Sequence, residues 1–412
     1  MNKSAALLEN VNSFMEADMD RRAFIKTATY CSGSAVIVGS GTTGWRAHQA
    51  GIVVPDDAPF APWDALAEIR PHDPSALAAA AILASNPHNT QPWKIDAGDS
   101  AFRLSADPER HLGAFDPYRR EMWLGLGAAM ANAELIAPEI GFDPGPMTVT
   151  NLGDNGSGTI EMPLAKSTPK PSPLAHAIPK RRTNRAPYSQ SEVPLDVLGR
   201  VWGLMGTTPG VYVLLFDRES PNGTAFAKAT IEATKAINAD SEMSHDGHRW
   251  FRGSARKVAQ HRDGVSIPTA GLSPTLSVLG QLLPEADTKT SGNYWLASTE
   301  RQVTHAAGFG LILVNDLYDR NQQVAAGRLW QRLHLAMTVE GVAAHPMNQL
   351  PELVDRDLDL GKDRGWCKAL RAISGGLLQA TFAFRFGYPT RDVPHSARRP
   401  VEWVTGPHTL SV

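Results

Sequence analysis

Two short segments of this 412-residue chain carry side chains that could do chemistry. Ser85-Asn86-Pro87-His88-Asn89-Thr90-Gln91-Pro92-Trp93 crowds amides, hydroxyls and an imidazole into one stretch. That set suits hydrogen bonding to the edge of a planar heterocycle or to a polyol chain. Lys180-Arg181-Arg182-Thr183-Asn184-Arg185 gathers guanidinium groups around a hydroxyl residue. Such a group suits an anion, phosphate above all, through bidentate charge-assisted bonds, although a solvated basic face would read the same. His245-Asp246-Gly247-His248 has metal-capable types but no third ligand and no helical spacing, and reads as a surface turn. No Ser-His-Asp or Cys-His arrangement stands out, so no catalytic residue is assigned.

The elements that must position these segments can be read from patterning. Ser75 follows Pro74 as a natural N-cap for an alanine-rich helix over Ala76–Ala84, which stops before Asn86-Pro87. Residues 95–104 read as a hairpin, so the first polar segment is a turn between helix and hairpin. Glu121–Ile140 is a longer helix with Met122, Leu126, Met130, Ala133 and Ile136 on one stripe, closed by Gly141. A Ser/Pro-rich linker at 167–173 precedes the basic segment. Beyond it, Val211–Phe216 and Gly310–Val314 read as buried strands and Gly327–Glu340 as a helix ending before Gly341. Gly127 and Gly141 bracket the first long helix as Gly327 and Gly341 bracket the second, with Leu135 and Leu335 in the same register. This echo suggests an internal duplication. Trp330, Leu333 and Met337 at helical spacing are core, and Trp93 packs behind the polar turn. Residues 262–295 form a Gly/Pro-rich insertion with little clear structure, either a lid or a surface excursion.

Composition narrows the class. Lys+Arg 40 against Asp+Glu 42 leaves a net charge of -2, which argues against a nucleic-acid coat. Two cysteines exclude a disulfide framework and a cysteine-built zinc cluster. No run of about 18 apolar residues occurs, which argues against a polytopic membrane protein. Asp20-Arg21-Arg22-Ala23-Phe24-Ile25-Lys26, followed by a mildly apolar stretch, resembles a twin-arginine export signal. No good cleavage site follows, so the expected destination is the periplasm, free or anchored by an uncleaved signal. Gly39-Ser40-Gly41-Thr42-Thr43-Gly44 is formally a dinucleotide fingerprint, but Asp56 comes too soon for the ribose acid. The expected organisation is a signal region over 1–50, a linker over 51–63, and an N-terminal half over 64–166. The 167–173 linker and a C-terminal half over 174–405 complete it.

Together the two polar segments resemble the nitroreductase superfamily, and within it the Acg-like branch of single-chain, internally duplicated FMN proteins. Arg181-Arg182-Thr183-Asn184-Arg185 matches the family's Arg-x-Ser/Thr-x-Lys/Arg segment, and Asn86 to Trp93 matches its Asn–x–Gln-Pro-Trp turn. In the family's homodimers these pieces meet at the flavin from opposite subunits; here each half of one chain supplies one. The resemblance spans about residues 65–405 and implies an α+β nitroreductase fold of two related halves packed as an intramolecular pseudo-dimer. It further implies that Arg181 holds the FMN phosphate, with Arg182 in the same basic segment, and that Thr183 helps the ribityl chain or phosphate. Arg185 is expected by the flavin N1/O2 edge, and Asn86, Pro87 and Asn89 contact the cofactor from the other half. Pro346, Met347 and Asn348 match the segment beside flavin N5, although Asn348 stands where the family has Glu and Gln349 where it has Gly. Phe386-Gly387-Tyr388-Pro389 resembles the final strand and turn, and Arg398 sits where another phosphate-binding cation is expected.

The resemblance implies an exported FMN oxidoreductase relaying hydride from NAD(P)H to an electron-poor organic acceptor. It has no nucleic-acid partner and no metal, and is expected as a monomeric pseudo-dimer. The Asn348 and Gln349 departures and the 262–295 insertion leave a second reading open: a chain that sequesters FMN with little NAD(P)H turnover.

Overall fold

The structure is a computed structural model that describes residues 56–406, apart from Ile69, Leu283, Pro284 and Leu377. The paired arginines, the Gly39–Gly44 stretch and the rest of the 1–50 region lie outside the described residues. From Asp57 onward the chain belongs to one compact α+β unit.

The first half begins with helix α1, Ser75–Ala81, one residue earlier than its alanine run suggests because Pro74 takes the N-cap position. Strands β1, Trp93–Ala97, and β2, Ala101–Ala106, form the expected hairpin. β1 alternates buried Trp93, Ile95 and Ala97 with exposed Lys94 and Asp96, as a strand with one wet face must. Helix α2, Arg120–Ile136, is buried at every residue except Glu134, so its apolar surface covers the whole circumference. It stops short of the expected Ile140; Pro138 starts a 3-10 turn that Gly141 closes at a left-handed φ of 81°. Strands β3, Phe142–Pro144, β4, Thr148–Thr150, and β5, Thr159–Lys166, complete the half.

The second half repeats this plan. Two helices, α3, Pro173–Ala177, and α4, Leu195–Met205, lead to strand β6, Val211–Asp217. A long excursion then carries α5, Pro221–Ala239, α6, Ser241–His248, β7, Phe251–Arg252, and α7, Ala255–His261. It continues through β8, Val265–Ser266, α8, Pro274–Leu282, and α9, Thr288–Thr304. Strand β9, Gly308–Val314, is buried throughout, and α10, Arg320–Val339, begins a full two turns before the expected Gly327 because Asp319 caps it at Asn321 and Gln322. Strand β10, Ala343–Pro346, helices α11, Gln349–Asp359, and α12, Gly365–Ser374, strand β11, Gln379–Gly387, and helix α13, Val401–Val404, finish the chain.

The two sheets have the same connectivity. The first runs β1-β2-β5-β3 and the second, read in the same sense, β6-β9-β11-β10, with every pair antiparallel. The halves differ most between their first two strands, a tight hairpin in one and the α5–α9 excursion in the other. Two expectations are corrected there. Residues 262–295 contain α8 and the first eight residues of α9, and His245–His248 ends helix α6. Asp246 of that helix accepts from the Ala114 amide at 2.8 Å, which docks the excursion on the first half.

The sheets are held apart by α2 and α10, which cross at their glycines. A methyl group on Gly127 would lie 2.2 Å from the Val324 carbonyl oxygen, and one on Gly327 would lie 2.0 Å from that of Leu124. The same offset relates both contacts, so the crossing lies on the pseudo-twofold axis. Tyr118 and Tyr318 meet across that axis with ring centroids 4.9 Å apart, each two residues before its helix. The apolar core is continuous across the junction, from Phe102 and Leu104 through Met130 and Trp330 to Phe382 and Phe384.

A Cβ at either crossing glycine meets backbone that cannot rotate away. Gly127→Ala or Gly327→Ala is expected to cost about 3 kcal/mol in urea unfolding. Gly199→Ala, on an exposed stretch of α4 with open space around it, is expected to gain about 0.5–1 kcal/mol. Similar effects at all three positions would reject the close crossing.

Candidate functional site

The turn after α1 is held in a strained conformation. His88, Asn89 and Gln91 have φ of 45°, 57° and 52°, three left-handed residues without a glycine among them. Such strain persists only where the surroundings over-determine it. Here the Asn86 side-chain oxygen accepts from the Gln91 amide at 2.8 Å. Gln91 donates to the Arg262 carbonyl at 2.8 Å and accepts from the Arg399 amide at 2.8 Å. Asn89 donates to Ala397 and Gly264 carbonyls at 2.9 and 3.2 Å and accepts from Arg398 at 2.6 Å. Asn89 is therefore fully engaged: it orients Arg398 and ties the excursion to the chain's last loop. Pro87 opens the turn, half-buried beside Asn86, and packs close to Gly125 of α2.

Arg181 and Arg398 come together behind this turn. Both are 2 % exposed, and both donate to the Leu83 carbonyl, at 3.0 and 3.4 Å. Neither has a carboxylate partner among the described residues. Nε and one terminal nitrogen of Arg181, and Nε of Arg398, are buried donors with no acceptor. Both guanidinium groups lie over the Trp63 ring, at 5.9 and 4.8 Å, and His395 stacks on that ring at 4.1 Å. Burial, then Arg182, pushes the Arg181 pKa down to about 10. Burial and then Arg181 push Arg398 down as well. Two buried cations with orphaned donors are stable only with an anion beside them. A phosphate would supply both charge and acceptors, so this part of the site fits a phosphate-bearing cofactor.

Trp63 lies at the end of the stretch expected to be a linker. The structure packs residues 57–63 into the body instead: Trp63 donates to the Ser396 carbonyl at 2.8 Å, and Arg398 donates its amide to Pro59 at 2.8 Å.

The remaining basic residues separate. Arg182 is exposed, its side chain on the Lys180 carbonyl, while its own carbonyl accepts from His334 at 3.1 Å if that nitrogen carries the proton. Thr183 is half-buried beside it. Arg185 is half-buried, donates to the Thr269 carbonyl at 3.1 Å, and faces His88 closely enough to act on it. Burial, then Arg185, lowers His88 to about 4, so its imidazole is neutral. Burial lowers the Arg185 pKa to about 10 as well, which still leaves it charged at neutral pH.

In the segment ending β10, Met347 and Asn348 are buried and Pro346 is half-buried. Pro346 pairs with Phe384 at the strand's last step. Met347 is 1 % exposed in the second apolar cluster, beside Leu350 and Ala383. The Asn348 carboxamide is spent inside the fold, donating to Glu121 at 2.9 Å and accepting from the Ala383 amide at 2.8 Å. An amide suits this position because it can donate to Glu121 and accept from Ala383 at once.

Sequence reasoning missed His88, His334, Trp63 and Arg385. Arg385 had a signal, a lone cation in the otherwise apolar β11. It is fully buried and bonds the carbonyls of Asn184 and Ala186 at 3.3 and 2.8 Å, fixing the basic segment from beneath. A relay ties the halves behind the turn: Asn132 donates to Ala80, Gln331 donates to Asn132, and the Ser85 amide donates to Gln331, at 2.8, 2.8 and 3.1 Å.

Carboxylates collect on the other side, at the start of α2. Arg120 pairs with Asp355 at 2.7 Å, and Tyr318 donates to the same carboxylate at 2.9 Å. Burial pushes Glu121 up to about 8, Arg120 opposing and Asp116 and Asp355 adding; burial and then Glu121 push Glu352 up too. A carboxyl raised on folding contributes stability that is full below its unfolded pKa and is lost as pH rises toward the folded one. Glu121→Gln keeps an acceptor for Asn348 and removes that loss. Relative to wild type, its unfolding free energy is expected to improve by more than about 1 kcal/mol between pH 5 and 8.5. A difference that stays flat over this range would overturn the assignment.

No family model matches the chain. It is 24% identical over 351 residues to Rv3131 of Mycobacterium tuberculosis, provisionally named an NAD(P)H nitroreductase, covering 78% of this chain and 89% of that one. It is 25% identical over 289 residues to the acg protein of the same organism, similarly named, covering 68% and 81%. Among solved structures, the FMN-dependent nitroreductase NfnB of Mycobacterium smegmatis in complex with NADPH aligns at 18% identity over 57% of this chain and 97% of that one, with a TM-score of 0.36. A nitroreductase with bound FMN from Bacteroides fragilis aligns at 14% identity over 58% and 97%, with a TM-score of 0.33.

Proposed function

We propose that the chain is an FMN-dependent oxidoreductase of nitroreductase type, taking hydride from NAD(P)H and reducing an electron-poor organic acceptor. The observation that carries this reading is the buried Arg181–Arg398 pair with its orphaned donors, set against the strained Asn86–Gln91 turn of the other half. The nitroreductase names of the mycobacterial relatives, which this chain matches over most of their length, support it.

In this reading Arg181 and Arg398 hold the phosphate, and Asn89 positions Arg398. Arg182 and Thr183 flank the phosphate and ribityl side. Asn86 and Pro87 border the cofactor from the first half, and Pro346 borders it from the end of β10. Met347 and Asn348 support that wall from within the core. Bound FMN supplies hydride acceptance and delivery at its N5. Arg185 lies on the ring side as a partly desolvated cation with no ion-pair partner, and so favours the reduced, anionic ring at N1/O2. His88 is neutral and adds a single donor or acceptor there without a second charge.

Binding FMN and riboflavin to the purified protein tests the phosphate assignment. Wild type is expected to prefer FMN by about a hundredfold, and Arg181→Ala to lose about tenfold of that preference. Equal affinities in wild type would reject the site. Anaerobic mixing with NADPH or NADH then tests turnover: bleaching of bound flavin supports the reductase. Flavin that stays oxidised would instead support the sequestering chain, a reading favoured by an Asn348 already spent on Glu121 and Ala383.

We also infer that Arg21-Arg22 directs twin-arginine export, to the periplasm or to an uncleaved membrane anchor. Retention of an Arg21→Lys, Arg22→Lys chain in the cytoplasm would support this, and unchanged export would reject it.

A further inference from the structure

Arg185 has a second face. It lines a cavity of about 310 Å³, formed where the α8–α9 part of the excursion meets the 184–187 and 390–391 loops. Arg301, from the last turn of α9, and Arg391 line the same cavity, together with Ser298, Gln302 and Thr390. Three arginines thus line one small space. Arg391 is held by its bond to the Gly271 carbonyl at 2.8 Å, and Arg185 by its bond to Thr269. Gln302 donates to the Arg185 carbonyl at 3.0 Å and to Ser298 at 3.1 Å, which fixes the floor. Arg301 is exposed, and its side chain makes no hydrogen bond or ion pair among the described residues. None of the three cations has a carboxylate partner there, and all three act on the Tyr294 phenol between them.

Like charges are brought together at a cost unless a ligand neutralises them, and guanidinium groups bind planar oxyanions well. The volume lies at the lower end of ligand pockets, with room for a substituted ring. We propose that this cavity is the acceptor pocket and that it selects small organic acids, their carboxylate held by Arg301 and Arg391 while Arg185 joins the pocket to the flavin edge. The proposal rests on the oxidoreductase reading and names the substrate class of that site. The selecting residues come from the excursion and the last loop, outside the segments that carry the FMN resemblance.

The test is calorimetric binding of 4-nitrobenzoate and its neutral counterpart 4-nitrobenzamide to the full-length protein at low salt, with bound FMN measured alongside. Wild type is expected to bind the carboxylate at least tenfold more tightly, with the preference shrinking as salt is added. Arg301→Gln is expected to lose about tenfold of that preference, and Arg301→Lys to retain most of it, both keeping FMN at the wild-type ratio. Equal binding of acid and amide, or a preference that survives Arg301→Gln, would overturn the pocket. So would an Arg301→Gln effect confined to NADPH over NADH, which would assign the anion to the hydride donor. A protein that holds no FMN but shows the Arg301-dependent preference would sink the oxidoreductase reading and leave the anion pocket standing.

Discussion

The close crossing of α2 and α10 is the constraint on which the rest of the molecule depends. Only because Gly127 and Gly327 lack side chains can each helix backbone seat against a carbonyl of the other, Val324 and Leu124 respectively. That contact brings the two sheets to either side of one core and brings α10 within reach of the turn after α1. The Ala80–Asn132–Gln331–Ser85 relay then fixes that turn, and Trp330 donates to the Ser85 hydroxyl at 3.1 Å. Arg181 and Arg398 from the second half reach Leu83 of the first only at this separation. A small increase in the helix spacing would therefore act first on the anion site, before the sheets themselves were disturbed.

Charge is sorted to the two sides of this frame. Arg181, Arg185, Arg385 and Arg398 face the polar turn and its neighbouring loops, bonded to backbone carbonyls and to no carboxylate among the described residues. Asp116, Glu121, Glu352 and Asp355 are buried around the start of α2, with Arg120 as their cation. Carbonyl dipoles hold a guanidinium in place without neutralising it, so the cationic side remains attractive to phosphate and carboxylate. On the acidic side, protonation substitutes for pairing, as the raised Glu121 and Glu352 indicate.

Much of this was legible in sequence because it is local. The hairpin at Trp93, the long helix before Gly141 and the buried strand ending at Val314 follow from periodicity and end signals, and the glycine echo between 127 and 327 marked the crossing. A stronger echo went unread. Asp116-x-Tyr118-x-Arg120 repeats as Asp316-x-Tyr318-x-Arg320, and the two tyrosines touch. What sequence could not give is pairing across the fold. Nothing local says that Asn89 turns its amide toward Ala397 and Gly264, or that Asn348 faces Glu121. Trp63 was hidden by surrounding prolines that suggest a linker, although its ring underlies both Arg181 and Arg398. The helices α8 and α9 were masked by Gly, Ser and Thr, whose low propensity is overridden by tertiary contact and by the Asp287 cap on Thr290.

The duplication supplies a symmetric frame, yet the chemistry is one-sided. At equivalent positions, Arg120 is sealed inside with Asp355, whereas Arg320 bonds the Tyr118 carbonyl and Gln323 and lies over Trp123. One buried cation is neutralised by acids; its counterpart is part-solvated and needs none. Likewise a tight hairpin joins β1 to β2, whereas the equivalent β6–β9 connection carries the whole α5–α9 excursion. A frame with two equivalent sides can devote one to stability and the other to binding, provided the insertion is borne by one half only. Here the insertion reaches back to the first half through Asp246 on Ala114 and the Arg110–Asp263 ion pair, and it contributes Arg301 beside Arg185. The excursion thus makes the two sides unequal, and the side it covers is the one where uncompensated arginines collect.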